Sequence, residues 1–250
     1  MSQQQIDDYF TQGYLVLREL IDAAFLERLD ARFLEYVEGR RALPEAMKIM
    51  QDVMVVKQAV AAPTPVHAVN KLLCLENDEV LFDFARHPDL VAAVRSLLGD
   101  ELYSLSSNVF NKPPGVDGRH PMHQDLRYFR LAPADRIVGV WTAMLPARRE
   151  TGCLAVLPGS HRLGLLEHRL PDWEYVNHGF YALPDVDRSA RVHVELEPGD
   201  TLLFHPLLIH GSGHNRSGAF RRAISIHYAA GDCESAKPGW RTRGLTRRVA

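Results

Sequence analysis

The spacing of apolar side chains changes once along this chain, near residue 100. Before that point helical spacing dominates. Residues 4–12 read as a short helix, and Gly13–Leu20, which opens on glycine and is rich in β-formers, reads as a strand. From 22 to 38 the apolar positions Ala24, Phe25, Leu29, Phe33 and Val37 recur at a helical period. Asp22 predicts its N-cap, and Gly39 with Arg40 and Arg41 predict its C-terminal end. Met47–Val60, carrying Val53, Val55 and Val56, predicts a strand, and 61–66 a proline-rich loop. Lys71 opens a segment that turns helical through Leu81, Phe82 and Ala85. Pro88–Leu98 predicts a further helix stopped at Gly99.

After Glu101 the pattern becomes short β-like runs: 103–110, 137–145, 154–157, 192–196, 201–204 and 223–228. Pro113-Pro114-Gly115, Pro158-Gly159, Pro198-Gly199-Asp200 and Gly211-Ser212-Gly213 punctuate them. That rhythm predicts a sandwich or jelly-roll. The expected fold is α+β and mainly β, a single domain over 1–250, with 1–100 a mostly helical flank and 101–230 the β core. The polar tail from Glu234 to Arg243 reads as extended.

Composition narrows the function classes. A formal net charge of −2 gives no global basic field, which argues against a nucleic-acid partner while leaving room for a local basic patch. Cys74, Cys153 and Cys233 are odd in number and widely spaced, so neither a disulfide framework nor a CxxC zinc site is expected. No basic and apolar leader is visible at the start, and no apolar run reaches the roughly 18 residues of a membrane span. The expectation is a cytoplasmic protein acting on a small molecule, with no membrane partner.

The chemistry concentrates in His120–Phe129. His123 and Asp125 stand two apart, and on extended backbone residues i and i+2 point the same way. Two imidazoles and one carboxylate make the facial triad of non-haem Fe(II) oxygenases, leaving open positions on the metal. His210, after the apolar Leu207–Ile209 and before a Gly-Ser-Gly turn, is the candidate third ligand. A 2-oxoglutarate enzyme also needs a fixed cation, and a guanidinium fork suits a carboxylate. Arg221 and Arg222 both qualify, facing opposite sides of a strand, and spacing does not choose between them. His120, His205, His214 and His227 read as supporting polar residues, and His161 and His168 as exposed loop residues.

Taken together, His123-Gln-Asp-Leu-Arg-Tyr-Phe129, Trp141-Thr-Ala-Met144, Gly152–His161, Pro198–Gly213 and Phe220-Arg221 closely resemble the phytanoyl-CoA dioxygenase family. The resemblance runs from about Gly13 to about Cys233 and takes in Met50–Val53 and Asn111–Pro114. It implies a double-stranded β-helix (jelly-roll) core and Fe(II) on His123, Asp125 and His210. It also implies 2-oxoglutarate bound by Arg221 and Ser212, with Lys71, Asn108 and Trp141 lining its pocket, and O2 as co-substrate. By that matching Arg221 is chosen over Arg222. The position of Asn108 carries Met in the family's hydroxylase, so it departs from the pattern.

The resemblance implies hydroxylation of a C–H bond, at C2 of a methyl-branched fatty acyl-CoA, with succinate and CO2 as co-products. Arg127, Arg130, Arg136, Arg148 and Arg149 are the candidates for the CoA phosphates. Three other readings stand beside it. One is the same chemistry on a free small molecule or secondary metabolite. The others are a cupin-like metal enzyme without 2-oxoglutarate, and a non-catalytic jelly-roll in which the triad is structural.

Overall fold

The computed structural model describes residues 1–129, 131–235, 239–242 and 246–250. Six helices occur in it: α1 (Gln3–Gln12), α2 (Ala23–Val37), α3 (Val53–Val56), α4 (Pro65–Ala68), α5 (Glu79–Phe82) and α6 (Pro88–Leu98). The strands before residue 150 are β1 (Tyr14–Leu17), β2 (Lys48–Gln51), β3 (Val69–Leu73), β4 (Leu102–Lys112), β5 (His120–His123), β6 (Leu131–Ala132) and β7 (Ile137–Ala143). They are followed by β8 (Leu154–Val156), β9 (Val192–Val194), β10 (Thr201–Phe204), β11 (His210–Ser212), β12 (Arg221–Ala230), β13 (Glu234–Ser235) and β14 (Arg247–Arg248).

Local chemistry sets the helix ends. Ser2 accepts from the Gln5 backbone N–H while Gln5 accepts from that of Ser2, a reciprocal cap on α1. Asp22 accepts from Phe25 N–H and starts α2 as expected. Two readings of this region are corrected. Val53, Val55 and Val56 lie in a helical turn, because Asp52 caps it through Met54 N–H and stops β2 one residue earlier. Lys71 is mid-strand in β3, held between β2 and β4, and the helical period starts only at α5. The tail is also docked: Trp240 is buried and donates from Nε1 to Cys233 O at 3.0 Å. Arg243 lies outside the described residues.

Among the described residues the strands pair antiparallel throughout. The larger sheet runs β1-β10-β7-β12-β4-β3-β2 with β14 beside β4; the smaller runs β5-β11-β8-β9. Alternation along β12 decides what each face meets. Arg222, Ile224, Ile226 and Tyr228 face the helices, packing with Leu29 and Phe33 of α2 and Leu90, Val94 and Leu98 of α6. Arg221, Ala223, Ser225 and His227 face the smaller sheet. Each fully buried leucine or phenylalanine in the helix-side layer contributes roughly 1.5–3 kcal/mol. The functional cavity lies between the two sheets. No helix among the described residues is long and apolar enough to cross a membrane.

Asp78 ties the helical layer together. Its carboxylate accepts from Leu81 N–H at 2.8 Å, Tyr36 Oη at 2.6 Å and Arg32 Nη1 at 2.6 Å. Burial pushes its pKa up, but the Tyr36, Leu81 and Arg32 partners outweigh that and hold it below the usual value. Asp78→Ala is expected to lower the unfolding free energy by about 2–4 kcal/mol at pH 7. A depressed folded pKa stabilises above the unfolded value and loses that contribution as pH falls. The gap between wild type and variant, read by urea denaturation, therefore narrows below about pH 4.

Candidate metal centre

His123 ends β5 and His210 begins β11, and the two are direct cross-strand partners. Only glycine fits beside them at 211. A Cβ there would lie 2.8 Å from the His120 carbonyl oxygen, so glycine is what lets β5 and β11 close up. Asp125 begins a 3-10 turn rather than continuing a strand. The alternation still works, because the intervening Gln124 is extended at φ −122 and ψ 129. Gln124 is pinned facing away: its side chain donates to Gly164 O and Leu207 O at 2.7 and 2.8 Å and accepts Leu166 N–H at 2.8 Å. His168 accepts Gln124 N–H at 2.9 Å, so it is a half-buried brace of this turn and not an exposed residue. His161 is half-buried as well, donating from Nε2 to Phe10 O at 3.0 Å.

Backbone carbonyls fix the imidazoles. Nδ1 of His123 donates to Pro121 O at 2.8 Å, and Nδ1 of His210 donates to Leu208 O at 3.0 Å. A carbonyl only accepts, so each Nδ1 carries the proton and each Nε2 presents a lone pair. Both lone pairs point at Asp125 Oδ1, at 3.0 and 3.7 Å. The three ligand atoms lie within 4.8 Å of one another. Three acceptors facing each other in a buried site are stable only with a cation between them. Two imidazole nitrogens and one carboxylate oxygen suit Fe(II).

Electrostatics agree. Burial alone would raise the Asp125 pKa, yet the polar side chains that converge on it, His210, His227 and His123, hold it well below the carboxylate range. Burial brings His210 down to about 4, so its imidazole is neutral at pH 7 and free to ligate. His227, a supporting polar residue by sequence, has a specific role: Nε2 donates to Asp125 Oδ2 at 2.7 Å, leaving Oδ1 for a metal. Its position was discoverable in principle, since it lies six residues after Arg221 on the same face of β12.

All eight expected site residues line one cavity of about 310 Å3: His123, Asp125, His210, Lys71, Asn108, Trp141, Ser212 and Arg221. Trp141, Ser225 and Asn108 form a single cross-strand row on β7, β12 and β4. Arg221 is buried over Trp141, and its Nε and Nη1 have no hydrogen-bond partner. Burial brings its pKa down to about 10, which leaves it charged. Arg222 faces the opposite way, donating to Asp30 and to Asn111. Lys71 Nζ sits 4.5 Å from the Phe110 and Phe180 ring centres. Burial takes it down to about 8, with Asp125 opposing and Arg221 adding to the fall. Asn108 donates to Ser106 Oγ at 3.3 Å.

Lys112 was not singled out. It is the cross-strand partner of Arg221, is buried, and donates from Nζ to Ser212 Oγ at 2.9 Å and Gly213 O at 2.5 Å. The Ser212 oxygen accepts from Lys112, which leaves its O–H available to donate. The remaining histidines do not reach the triad as ligands. His120 stacks between His123 and Phe180, His205 pairs with Asp135, and His214 with Asp117. Of the arginines expected to meet phosphates, Arg127, Arg136, Arg148 and Arg149 do not line this cavity. Arg127 lies over Tyr181, while Arg136 and Arg148 pair with Asp232 and Glu197. Arg149 lines a separate hollow, and Arg130 lies outside the described residues.

Comparison with known proteins follows the same residues. The family model described as Phytanoyl-CoA dioxygenase (PhyH) matches residues 9–223. The chain is 42% identical over 240 residues to a probable phytanoyl-CoA dioxygenase of Caenorhabditis elegans, covering 93% of this chain and 76% of that protein. It is 40% identical over 239 residues to the peroxisomal phytanoyl-CoA dioxygenase of Rattus norvegicus, covering 94% of this chain and 70% of that protein. A solved structure of a non-heme alpha ketoglutarate dependent carbocyclase from nogalamycin biosynthesis shares the fold. It superposes with a TM-score of 0.72 over 100% of this chain and 97% of that one, at 20% identity.

Calorimetric titration of metal-free protein with Mn(II) is expected to show one site. His210→Ala or Asp125→Ala should weaken it at least 100-fold. His227→Ala, which removes only the anchor of Asp125, should weaken it about 10–100-fold. Unchanged affinity in His227→Ala would contradict the bracing role.

Proposed function

The chain belongs to the phytanoyl-CoA dioxygenase family, and from that premise we propose that it is an Fe(II)- and 2-oxoglutarate-dependent dioxygenase. Its substrate is a methyl-branched fatty acyl-CoA, hydroxylated at C2, with 2-oxoglutarate converted to succinate and CO2. Two antiparallel sheets enclosing the site support a double-stranded β-helix core, and we read residues 1–250 as one domain built on it.

The observation that carries the reading is Arg221. A buried guanidinium with two unpartnered nitrogens, in the cavity that also holds the triad, is stable only with an anion against it. A dicarboxylate offers one end to the metal and the other to Arg221. A cupin-like enzyme without 2-oxoglutarate, or a structural triad, leaves that group without a use.

His123, Asp125 and His210 would hold the iron, which when bound activates O2 with 2-oxoglutarate as the source of electrons. The chain's own residues orient and exclude. Arg221 takes the distal carboxylate on its fork. Lys112 keeps the Ser212 hydroxyl turned to donate to the same carboxylate. Trp141 sets the plane on which Arg221 lies. Lys71 adds a second cation, and Asn108 borders the pocket. Leu154, Phe110, Phe180 and Phe204 supply apolar wall that keeps water from the reacting C–H bond and strengthens each polar contact. His227 holds Asp125 as a carboxylate throughout.

The test is succinate formed from 2-oxoglutarate by Fe(II)-loaded protein given O2, with and without phytanoyl-CoA. Succinate rising strongly with the acyl-CoA, with 2-hydroxyacyl product, supports the reaction and the substrate class. Slow succinate that no acyl-CoA stimulates rejects the CoA ester and keeps the oxygenase; no succinate from iron-loaded protein rejects both. Arg221→Met is expected to raise the KM for 2-oxoglutarate about 100-fold, the effect of losing roughly 3 kcal/mol of buried ion pairing.

A further inference from the structure

The four-stranded sheet has a second face, turned away from the triad. Ala155 of β8, Gly211 of β11 and His193 of β9 alternate with residues that face the metal cavity, so they lie on the sheet's other face. A cavity of about 240 Å3 sits on that outer face. Five arginines line it, Arg119, Arg149, Arg188, Arg191 and Arg216, and among the described residues no carboxylate does. An adjoining hollow of about 390 Å3 shares Arg149, Arg188, Arg191 and His193. The chain as a whole carries a formal charge of −2, so this cluster is local and not a reflection of basic composition.

Two nearby acids, Asp117 and Glu195, are already engaged. Asp117 accepts from Arg119 Nε at 2.7 and 2.9 Å and pairs with His214 at 3.0 Å. Glu195 accepts the Arg149 backbone N–H at 2.8 Å. The guanidinium groups of Arg149, Arg188, Arg191 and Arg216 have no ion pair among the described residues. Arg119 is held in place, stacked 4.0 Å over the Trp173 ring. His193 and His214 register the crowding. Burial lowers both; the charges of Arg149 and Arg191 push His193 further down with Glu195 opposing, and those of Arg119 and Arg216 push His214 down against the larger opposing charge of Asp117. Like charges gathered around one hollow, four of the five exposed and without an ion pair among the described residues, favour the entry of an anion.

We propose that this hollow binds the phosphate groups of an organic phosphate, with arginine forks taking phosphate oxygens in pairs. His120 and Ser212 border both this cavity and the metal cavity, so the bound phosphates lie one β-layer from the triad. Two sources share this chemistry: the phosphates of the CoA ester, and a free organic phosphate. The first rests on the function proposed above; the phosphate site itself does not.

The test is calorimetric titration of metal-free protein with CoA and with inorganic pyrophosphate. The wild type, the double variant Arg149→Glu/Arg191→Glu and the matched charge change Arg40→Glu, which lines neither cavity, are compared at two salt concentrations. Wild type and Arg40→Glu are expected to bind both probes, more weakly at high salt, and the double variant at least 30-fold more weakly. A parallel rise in the acyl-CoA KM of the double variant assigns the phosphates to the substrate. Lost pyrophosphate binding with an unmoved acyl-CoA KM assigns them to a free organic phosphate. No binding to wild type, or equal binding to the double variant, overturns the site. Because binding is read without turnover, it stands even if iron-loaded protein forms no succinate.

Discussion

Three lone-pair atoms held within 4.8 Å of one another in a buried cavity repel unless a cation lies between them. Much of the surrounding structure can be understood as the means of holding them there. Carbonyls two residues back turn both imidazoles, the absence of a side chain at Gly211 lets β5 and β11 close, and Gln124 is anchored on the outside so that Asp125 points in. His227 then reaches across from the larger sheet to fix the carboxylate. The two sheets are therefore joined at the site itself, and the helices behind β12 hold the larger sheet in place through Phe33, Val94 and Tyr228.

The other end of the cavity carries the opposite problem. Arg221, Lys71 and Lys112 are cations in or beside one buried space, and burial pulls each pKa down. Lys112 is satisfied by Ser212 and Gly213, whereas Arg221 keeps two unpartnered nitrogens. An acceptor-rich end that needs a cation and a cation-rich end that needs an anion face each other across about 310 Å3. A small dicarboxylate that also ligates a metal answers both.

The triad was legible in the sequence because it depends on short-range geometry, one extended residue between His123 and Asp125. The strand rhythm after residue 101 was legible because turns punctuate it. The choice between Arg221 and Arg222 was not, since parity on a strand says that they differ but not which faces in; the resemblance made that choice. What failed were elements decided by capping or by distant pairing. Val53–Val56 has β-branched residues but a capping Asp52, and Lys71 lies in a strand only because β2 and β4 flank it. His210 begins a strand because it pairs with His123, 87 positions earlier in the numbering, while the sequence places it between a strand end at Leu207–Ile209 and a turn. The contacts of Lys112, and the gathering of Arg149 with Arg119, Arg188, Arg191 and Arg216, are invisible without register, because the residues that meet are distant in sequence.

The central claim is that metal and 2-oxoglutarate share the cavity, one on the triad and the other spanning to Arg221. Anaerobic absorption spectroscopy tests it most directly. Fe(II) and 2-oxoglutarate together should produce a visible charge-transfer band that neither gives alone. In Arg221→Met the band should require much more 2-oxoglutarate, and in Asp125→Ala it should not form at the concentrations that saturate wild type. A band absent from wild type, or one whose 2-oxoglutarate dependence is the same in Arg221→Met, would contradict the account.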